Sequence, residues 1–208
     1  MRDEEGGASV IIDMHMHIEE VASLGWKMSA EDCVQAMDAA GVDSAAVMTL
    51  TDLPGLNPQG LELIADACAS HPGRLHGFLR LAGELGVPTL FHCGDEPMST
   101  PLSIAEAAAA CPDSTIVLGH MGGYFHVDEA IDVAEQHPNL ILETSAMPYP
   151  DKIRTAVERI GAERVVFGSD GPVSSPSLER QKVVIADLGG PAAALVLGGN
   201  AAVLLGLA

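Results

Sequence analysis

A junction that recurs six times along the chain sets the strongest limit on what it can fold into. Each copy is an Ala-rich amphipathic segment, a breaker, and then a short apolar run, as in AMDAAGVDSAAVMT at 36–49, AAAACPDSTIVLGH at 107–120 and VERIGAERVVFGSD at 157–170. The other copies lie at 65–78, 81–94 and 133–145. Gly or an X-Pro pair ends each helix, because proline lacks a backbone N–H and glycine accepts left-handed backbone. The runs that follow are too short for helices and too continuously apolar for one-sided sheets. They read as strands of a parallel sheet covered on both faces. The spacing predicts strands at 10–17, 43–49, 75–80, 88–93, 115–120, 140–145 and 164–169. Strands alternating with helices at this rhythm make an α/β architecture. His71 and His137, each preceding a proline, belong to the helix-ending punctuation.

An open doubly wound sheet and a TIM-type (β/α) barrel both satisfy this rhythm, and the polar residues separate them. No Gly-rich phosphate loop follows the first strand; Asp13-Met14-His15-Met16-His17 stands there instead, which favours the barrel. At 208 residues the chain is read as a single domain, near the lower limit for eight βα units, with residues 1–9 as a tail outside it. Ten Lys and Arg against 29 Asp and Glu give a net charge of −19, a field that repels nucleic-acid backbones and anionic membranes. No apolar run approaches the roughly 18 residues of a membrane span, and the acidic start lacks the apolar core of a secretory signal. The expectation is a cytoplasmic protein acting on a small molecule. Cysteines 33, 68, 93 and 111 show no CxxC pairing, which predicts reduced, structural thiols.

The candidate chemistry sits where the apolar runs end. With a period of two, Asp13, His15 and His17 share one face of the first strand while Met14 and Met16 take the other. Two imidazoles about 7 Å apart along one strand can converge on a metal at the barrel mouth; Asp13, one layer deeper, is assigned a supporting role. His92, His120 and Asp170 each end a predicted strand and precede a glycine-containing turn, which is the catalytic rim of such a fold. Three imidazoles and a carboxylate suit one divalent ion, zinc first, with manganese or iron as alternatives. Trp26 and Lys27 in the following loop, and Tyr124 and His126 beyond Gly122-Gly123, are weaker candidates for substrate binding. Ser145 and Met147 follow a strand end and can line a pocket, and His76 reads as strand filler.

These segments occur in a recognisable order: Asp-Met-His-Met-His, Leu-Phe-His-Cys-Gly, Leu-Gly-His-Met-Gly-Gly, Phe-Gly-Ser-Asp-Gly-Pro, and a final Leu-Gly-Gly-Asn-Ala-Ala-Val-Leu-Leu-Gly-Leu. From about residue 10 to 207 the chain resembles the amidohydrolase superfamily, in its aminocarboxymuconate-semialdehyde decarboxylase-like, amidohydrolase-related branch. The resemblance implies metal ligation by His15, His17, His92 and Asp170. It places His120 beside the metal, polarising a substrate oxygen or moving a proton, with Asp170 also able to accept one. It gives Asn200 as the N-cap of a terminal helix that seals the barrel. Binuclear members of the superfamily use a carboxylated lysine at a strand end. Lys27, Lys152 and Lys182 end no predicted strand, so one metal is expected. The branch includes hydrolases, hydratases and non-oxidative decarboxylases. Hydrolysis of an ester, lactone or amide is the first reading, decarboxylation or hydration of an aromatic-derived acid the alternative, and a truncated, catalytically weak metal-binding barrel the second alternative.

One βα unit is expected to be missing. Between the strand ending near Arg80 and the one beginning at Pro88 lie only Leu81–Val87, whereas a parallel crossover needs about a dozen residues. The resemblance implies a fourth strand there. Its loss would leave an unpaired edge that favours a homodimer.

Overall fold

The computed structural model describes residues 10–21, 25–49, 58–77, 87–96, 99–110 and 112–207. In chain order the first half comprises β1 (Ile12–His17), β2 (Glu19–Val21), β3 (Trp26–Met28), α1 (Ala30–Ala40), β4 (Ser44–Met48), α2 (Pro58–Ser70) and β5 (Leu75–Gly77). The second half comprises β6 (Thr89–His92), α3 (Pro101–Ala110), β7 (Ile116–Gly119), α4 (Val127–Gln136), β8 (Leu140–Glu143), α5 (Pro150–Ile160), β9 (Val165–Val166) and α6 (Pro176–Ile185). Helical turns α7 (Gly190–Ala194) and α8 (Asn200–Leu204) follow, joined by a π-helical turn over Leu195–Gly199.

All seven expected strands form, and all pair in parallel: β5 with β4, β4 with β1, β6 with β7, β7 with β8, and β8 with β9. A parallel bridge between Met16 and Gly171, with Met14 N–H donating to the Phe167 carbonyl at 3.0 Å, joins β1 to the chain leaving β9. The spatial order is therefore β5-β4-β1-β9-β8-β7-β6, with β5 and β6 as the ends among the described residues. Residues 78–86, where the expected missing unit falls, lie outside the described residues, as does the 1–9 tail.

Alternation along the strands separates two apolar layers. One residue in two points inward, and Ile12, Met14, Ala46, Leu90, Val117, Ile141 and Val166 pack together there with Ala201. Ala202, Leu204 and Leu205 pack on the same cluster, so the C-terminal turns seal the barrel interior, as expected. The alternate residues, among them Ile116, Leu118, Leu140, Leu142, Val165 and Phe167, face the surrounding helices. Local signals set the helix ends. In α1, Ser29 and Asp32 form a reciprocal capping box, and Gly41 closes the helix at φ 66°.

Three expectations are corrected here. Asp13, His15 and His17 do not share a face by simple alternation, because the β1–β4 register slips between Asp13 and Met16. Met14 faces inward with Ile12, whereas Met16 joins the outer layer with Ile18. One extra residue in a bulge inverts the facing of everything beyond it. Trp26 lies not in a loop but in the antiparallel β2–β3 ribbon, half-buried. Asn200 is not an N-cap: its φ of −66° and ψ of −43° continue a helical path, and Gly199 before it is helical too. Its amide instead donates to the carbonyls of Ala162 (2.7 Å) and Val165 (2.8 Å), tying the sealing helix to β9.

Candidate metal centre

The functional side chains stand one layer above the inner apolar cluster. The β1 bulge aims His15 and His17 at it, and Asp13 holds the bulge. Asp13 is fully buried, and its Oδ1 accepts the backbone N–H groups of His15 (2.9 Å) and Ser169 (3.0 Å). Burial pushes its carboxyl up to about 7, and its Oδ2 has no hydrogen-bond partner among the described residues.

Three turns deliver the remaining groups, each through a non-glycine residue in the left-handed region: His120 (φ 66°) after β7, Ala146 (φ 53°) after β8, and Asp170 (φ 55°) after β9. Such backbone persists only where the surroundings enforce it, and it concentrates at sites of function. Asp170 Oδ1 lies 2.9 Å from His17 Nε2 and 3.3 Å from His15 Nε2. The ligand atoms of these three buried residues all fall within 4.8 Å of one another. Two imidazole nitrogens and a carboxylate oxygen converging at low exposure fit a zinc- or manganese-type ion. Burial alone would raise the Asp170 pKa, but the His17 hydrogen bond and the surrounding imidazoles outweigh it and hold the carboxyl below its usual range.

Glu143, at the end of β8, was missed by the sequence reading. It is fully buried, and Oε2 accepts from His15 Nδ1 (3.0 Å), His120 N–H (3.1 Å) and Ser145 Oγ (2.8 Å), while Oε1 accepts from Ser145 N–H (2.6 Å). Burial would raise its pKa, but these bonds, that to His15 first, and the neighbouring His15 prevail, and it sits below the usual carboxylate range. Burial would lower the pKa of His15, but Glu143, followed by Asp170 and Asp13, raises it. With Nδ1 committed to Glu143, Nε2 is the His15 nitrogen on the side of Asp170; once neutral it would offer a lone pair to a cation there, the carboxylate–histidine arrangement that strengthens a metal ligand. Glu143 makes a second candidate group with His15 and His120, whose ligand atoms also lie within 4.8 Å. Gly168 makes room for it, since a Cβ there would lie 2.6 Å from Glu143 Cδ and 2.9 Å from His15 Cβ.

The same network fixes the tautomer of His120. The single hydroxyl proton of Ser145 goes to Glu143, so Oγ accepts from His120 Nδ1 at 2.9 Å, and the Ser145 carbonyl lies 3.3 Å from that nitrogen. Both partners require Nδ1–H, which leaves a lone pair on Nε2. Burial, reinforced by His15, pushes His120 down to about 4, so it is neutral at pH 7. Its ring stacks on His15 at 4.9 Å between centroids and meets His92 edge-on at 4.8 Å.

The structure brings His15, His17, His120 and Asp170 together. His92 borders them but is half-exposed and pairs through Nε2 with Glu96 at 2.8 Å, so it joins neither converging group. Among the weaker candidates, Tyr124 is exposed, His126 lies 3.5 Å from Glu129, and Lys27 pairs at the surface with Glu20. Lys152 pairs with Asp128, and Lys182 donates to main-chain carbonyls, so no described lysine occupies the converging groups. Cys93 is buried in the outer layer, on the face away from His92 as alternation predicts.

Solved structures match the fold across nearly the whole chain. 2,6-Dihydroxybenzoate decarboxylase from Rhizobium superposes with a TM-score of 0.73 at 14% identity, covering 96% of this chain and 99% of that one. An amidohydrolase from Burkholderia multivorans with bound zinc gives 0.73 at 13%, covering 96% and 100%. A dihydroxybenzoic acid decarboxylase from Polaromonas, with bound manganese and the inhibitor 2-nitroresorcinol, gives 0.72 at 15%, covering 96% and 98%. At such identities the likeness establishes the fold, a TIM-type barrel. No curated protein matches the sequence. A family model described as Amidohydrolase matches residues 37–207, most of the chain, and the chain therefore belongs to the amidohydrolase family.

Proposed function

We propose that this chain is a metal-dependent decarboxylase of aromatic carboxylic acids. The observation that carries the reading is the buried convergence of His15, His17 and Asp170 beside a neutral His120 of fixed tautomer. Two of the folds that match it belong to dihydroxybenzoate decarboxylases, which moves the balance from hydrolysis, the first reading of the sequence, to its alternative. A net charge of −19 disfavours an anionic aromatic acid unless a local cation offsets it. A divalent ion, which His15, His17 and Asp170 would hold, would supply that cation and attract the substrate carboxylate. His92 completes the ligand set in this reading, which requires its hydrogen bond to Glu96 to be released. Glu143 orients His15. His120 takes up a proton at Nε2 and passes it to the ring carbon as the carbon–carbon bond breaks; the bonding pair stays on the ring and CO₂ leaves. Ser145 keeps Nε2 as the proton-carrying atom. Free Cys33, Cys68 and Cys93 fit a reducing, cytoplasmic setting.

Substrates labelled with ¹³C at the carboxyl decide the reaction. Dihydroxybenzoates and related aromatic acids are expected to release labelled CO₂ with zinc or manganese present, and not after chelation. Turnover of lactones or esters with no CO₂ from any aromatic acid would return the assignment to hydrolysis.

A further inference from the structure

Helix α6 carries an ion pair in an unusual place. Glu179 and Lys182 are 3% and 8% exposed, and their carboxylate and ammonium are in direct contact. Burying a lysine–glutamate pair seldom adds net stability, because the desolvation cost offsets the attraction. What this pair reaches is more informative. Lys182 Nζ donates to the carbonyls of Thr144 (3.0 Å) and Met147 (2.6 Å), which bracket the left-handed Ala146 and the site residue Ser145. On its other side Glu179 Oε1 accepts from Ser174 Oγ at 2.7 Å. Ser174 belongs to the turn that begins at Asp170, whose carbonyl accepts from Val173 N–H at 2.8 Å. One buried pair thus spans the two strained turns that present Ser145 and Asp170.

We propose that Lys182, with Glu179, is a positioning residue: it braces the 144–147 and 170–174 turns against each other and so sets the tautomer and placement of His120 through Ser145. Neither residue touches the converging ligand atoms. Without the ammonium, the carbonyls of Thr144 and Met147 lose a buried donor, and Ala146 loses the contacts on either side of it. The turn can then relax, and Ser145 no longer offers its hydroxyl oxygen to His120 Nδ1. The catalytic consequence rests on the decarboxylase reading above; the structural one does not.

The test compares Lys182→Met, which strands Glu179 in the interior, with the double variant Glu179→Leu/Lys182→Met, which removes both charges. Both are prepared with zinc as the only metal in the medium. Thermal melting reports folding, and ¹⁵N imidazole spectra report the His120 tautomer, the resonance being assigned by its absence in His120→Gln. The single variant is expected to melt earliest and the double variant between it and the native protein, still folded at the temperature of the spectra. The double variant should nevertheless show a mixture of His120 tautomers where the native protein shows Nδ1–H alone. If the chain turns over an aromatic acid, kcat in the double variant should fall about 10²-fold with KM little changed, the scale of a misplacement of about 1 Å. A folded double variant that keeps the single Nδ1–H tautomer overturns the proposal. Failure of the double variant to fold also overturns it, by assigning the pair to stability instead. The spectra judge the brace even if no substrate is decarboxylated.

Discussion

Replacing Glu143 by Gln changes one atom at the point where the site is most tightly coupled. The carboxylate accepts four hydrogen bonds, three at Oε2 and one at Oε1. A glutamine with its oxygen in the Oε2 position keeps three of them but turns its own N–H groups towards Ser145 N–H, losing the fourth. The three retained bonds lose charge assistance, roughly 1 kcal/mol each, and the lost bond to a charged acceptor adds roughly 2 kcal/mol. Relief from burying a charge acts in the opposite direction. The Glu143 pKa lies below the usual carboxylate range, the direction expected if its bonds outweigh that burial, so the net effect is destabilising, by at most about 5 kcal/mol. Metal binding suffers separately, because His15 loses the partner that directs Nε2. An orienting partner of this kind is worth about 10–100-fold in affinity, or about 1.4–2.8 kcal/mol. Urea unfolding of metal-free protein measures the first effect, and zinc competition against a chromophoric chelator at a temperature where the variant is folded measures the second. A zinc Kd within twofold of wild type would refute the claim that Glu143 orients a metal ligand.

Other outcomes follow from the same geometry. His120→Ala should retain metal yet lose at least about 10²-fold in turnover, whereas His15→Ala and Asp170→Ala should lose the metal; equal metal loss in all three, measured after dialysis, would remove the distinction between ligand and proton carrier. Gly168→Ala places a methyl group against the Glu143 carboxylate and should lower stability by about 1–3 kcal/mol and weaken zinc binding; a melting temperature at the wild-type value would show that the close approach is not needed. Cys33 and Cys93, whose thiols burial pushes up to about 12, carry thiolate at only about one part in ten thousand at pH 8. Both should resist iodoacetamide in the native protein and react after unfolding, as read by peptide mass mapping.

The strands and their rim residues were legible because two-sided burial writes a continuous apolar run and a glycine turn marks where it ends. That rule located His120 and Asp170, although the extended path stops earlier than expected, at Gly119 and Val166. The bulge in β1 was not legible. Alternation assumes an unbroken register, and no glycine marks the slip at residues 13–16; it is held by Asp13, which accepts from His15 N–H two residues on and from Ser169 N–H, distant in sequence. Glu143 escaped notice because a charge after Leu-Ile-Leu reads as the point where a strand meets solvent. Its burial depends on Gly168, two residues beyond β9, and on two turns, all of them tertiary facts. Lys182 and Glu179 were hidden for a similar reason. In Pro-Ser-Leu-Glu-Arg-Gln-Lys the charges resemble a solvated helix face, and only the packing of α6 over two turns turns them inward. Asn200 was assigned to a helix start by the resemblance alone, whereas the chain continues into it through a π-helical turn.

The central claim is that one divalent ion is held by the residues that converge at the barrel rim. Plasma mass spectrometry of the isolated protein, after dialysis against metal-free buffer and a single reconstitution with zinc or manganese, tests it most directly. Close to one equivalent of metal per chain is expected. Retention of none, or of two equivalents per chain, would contradict it.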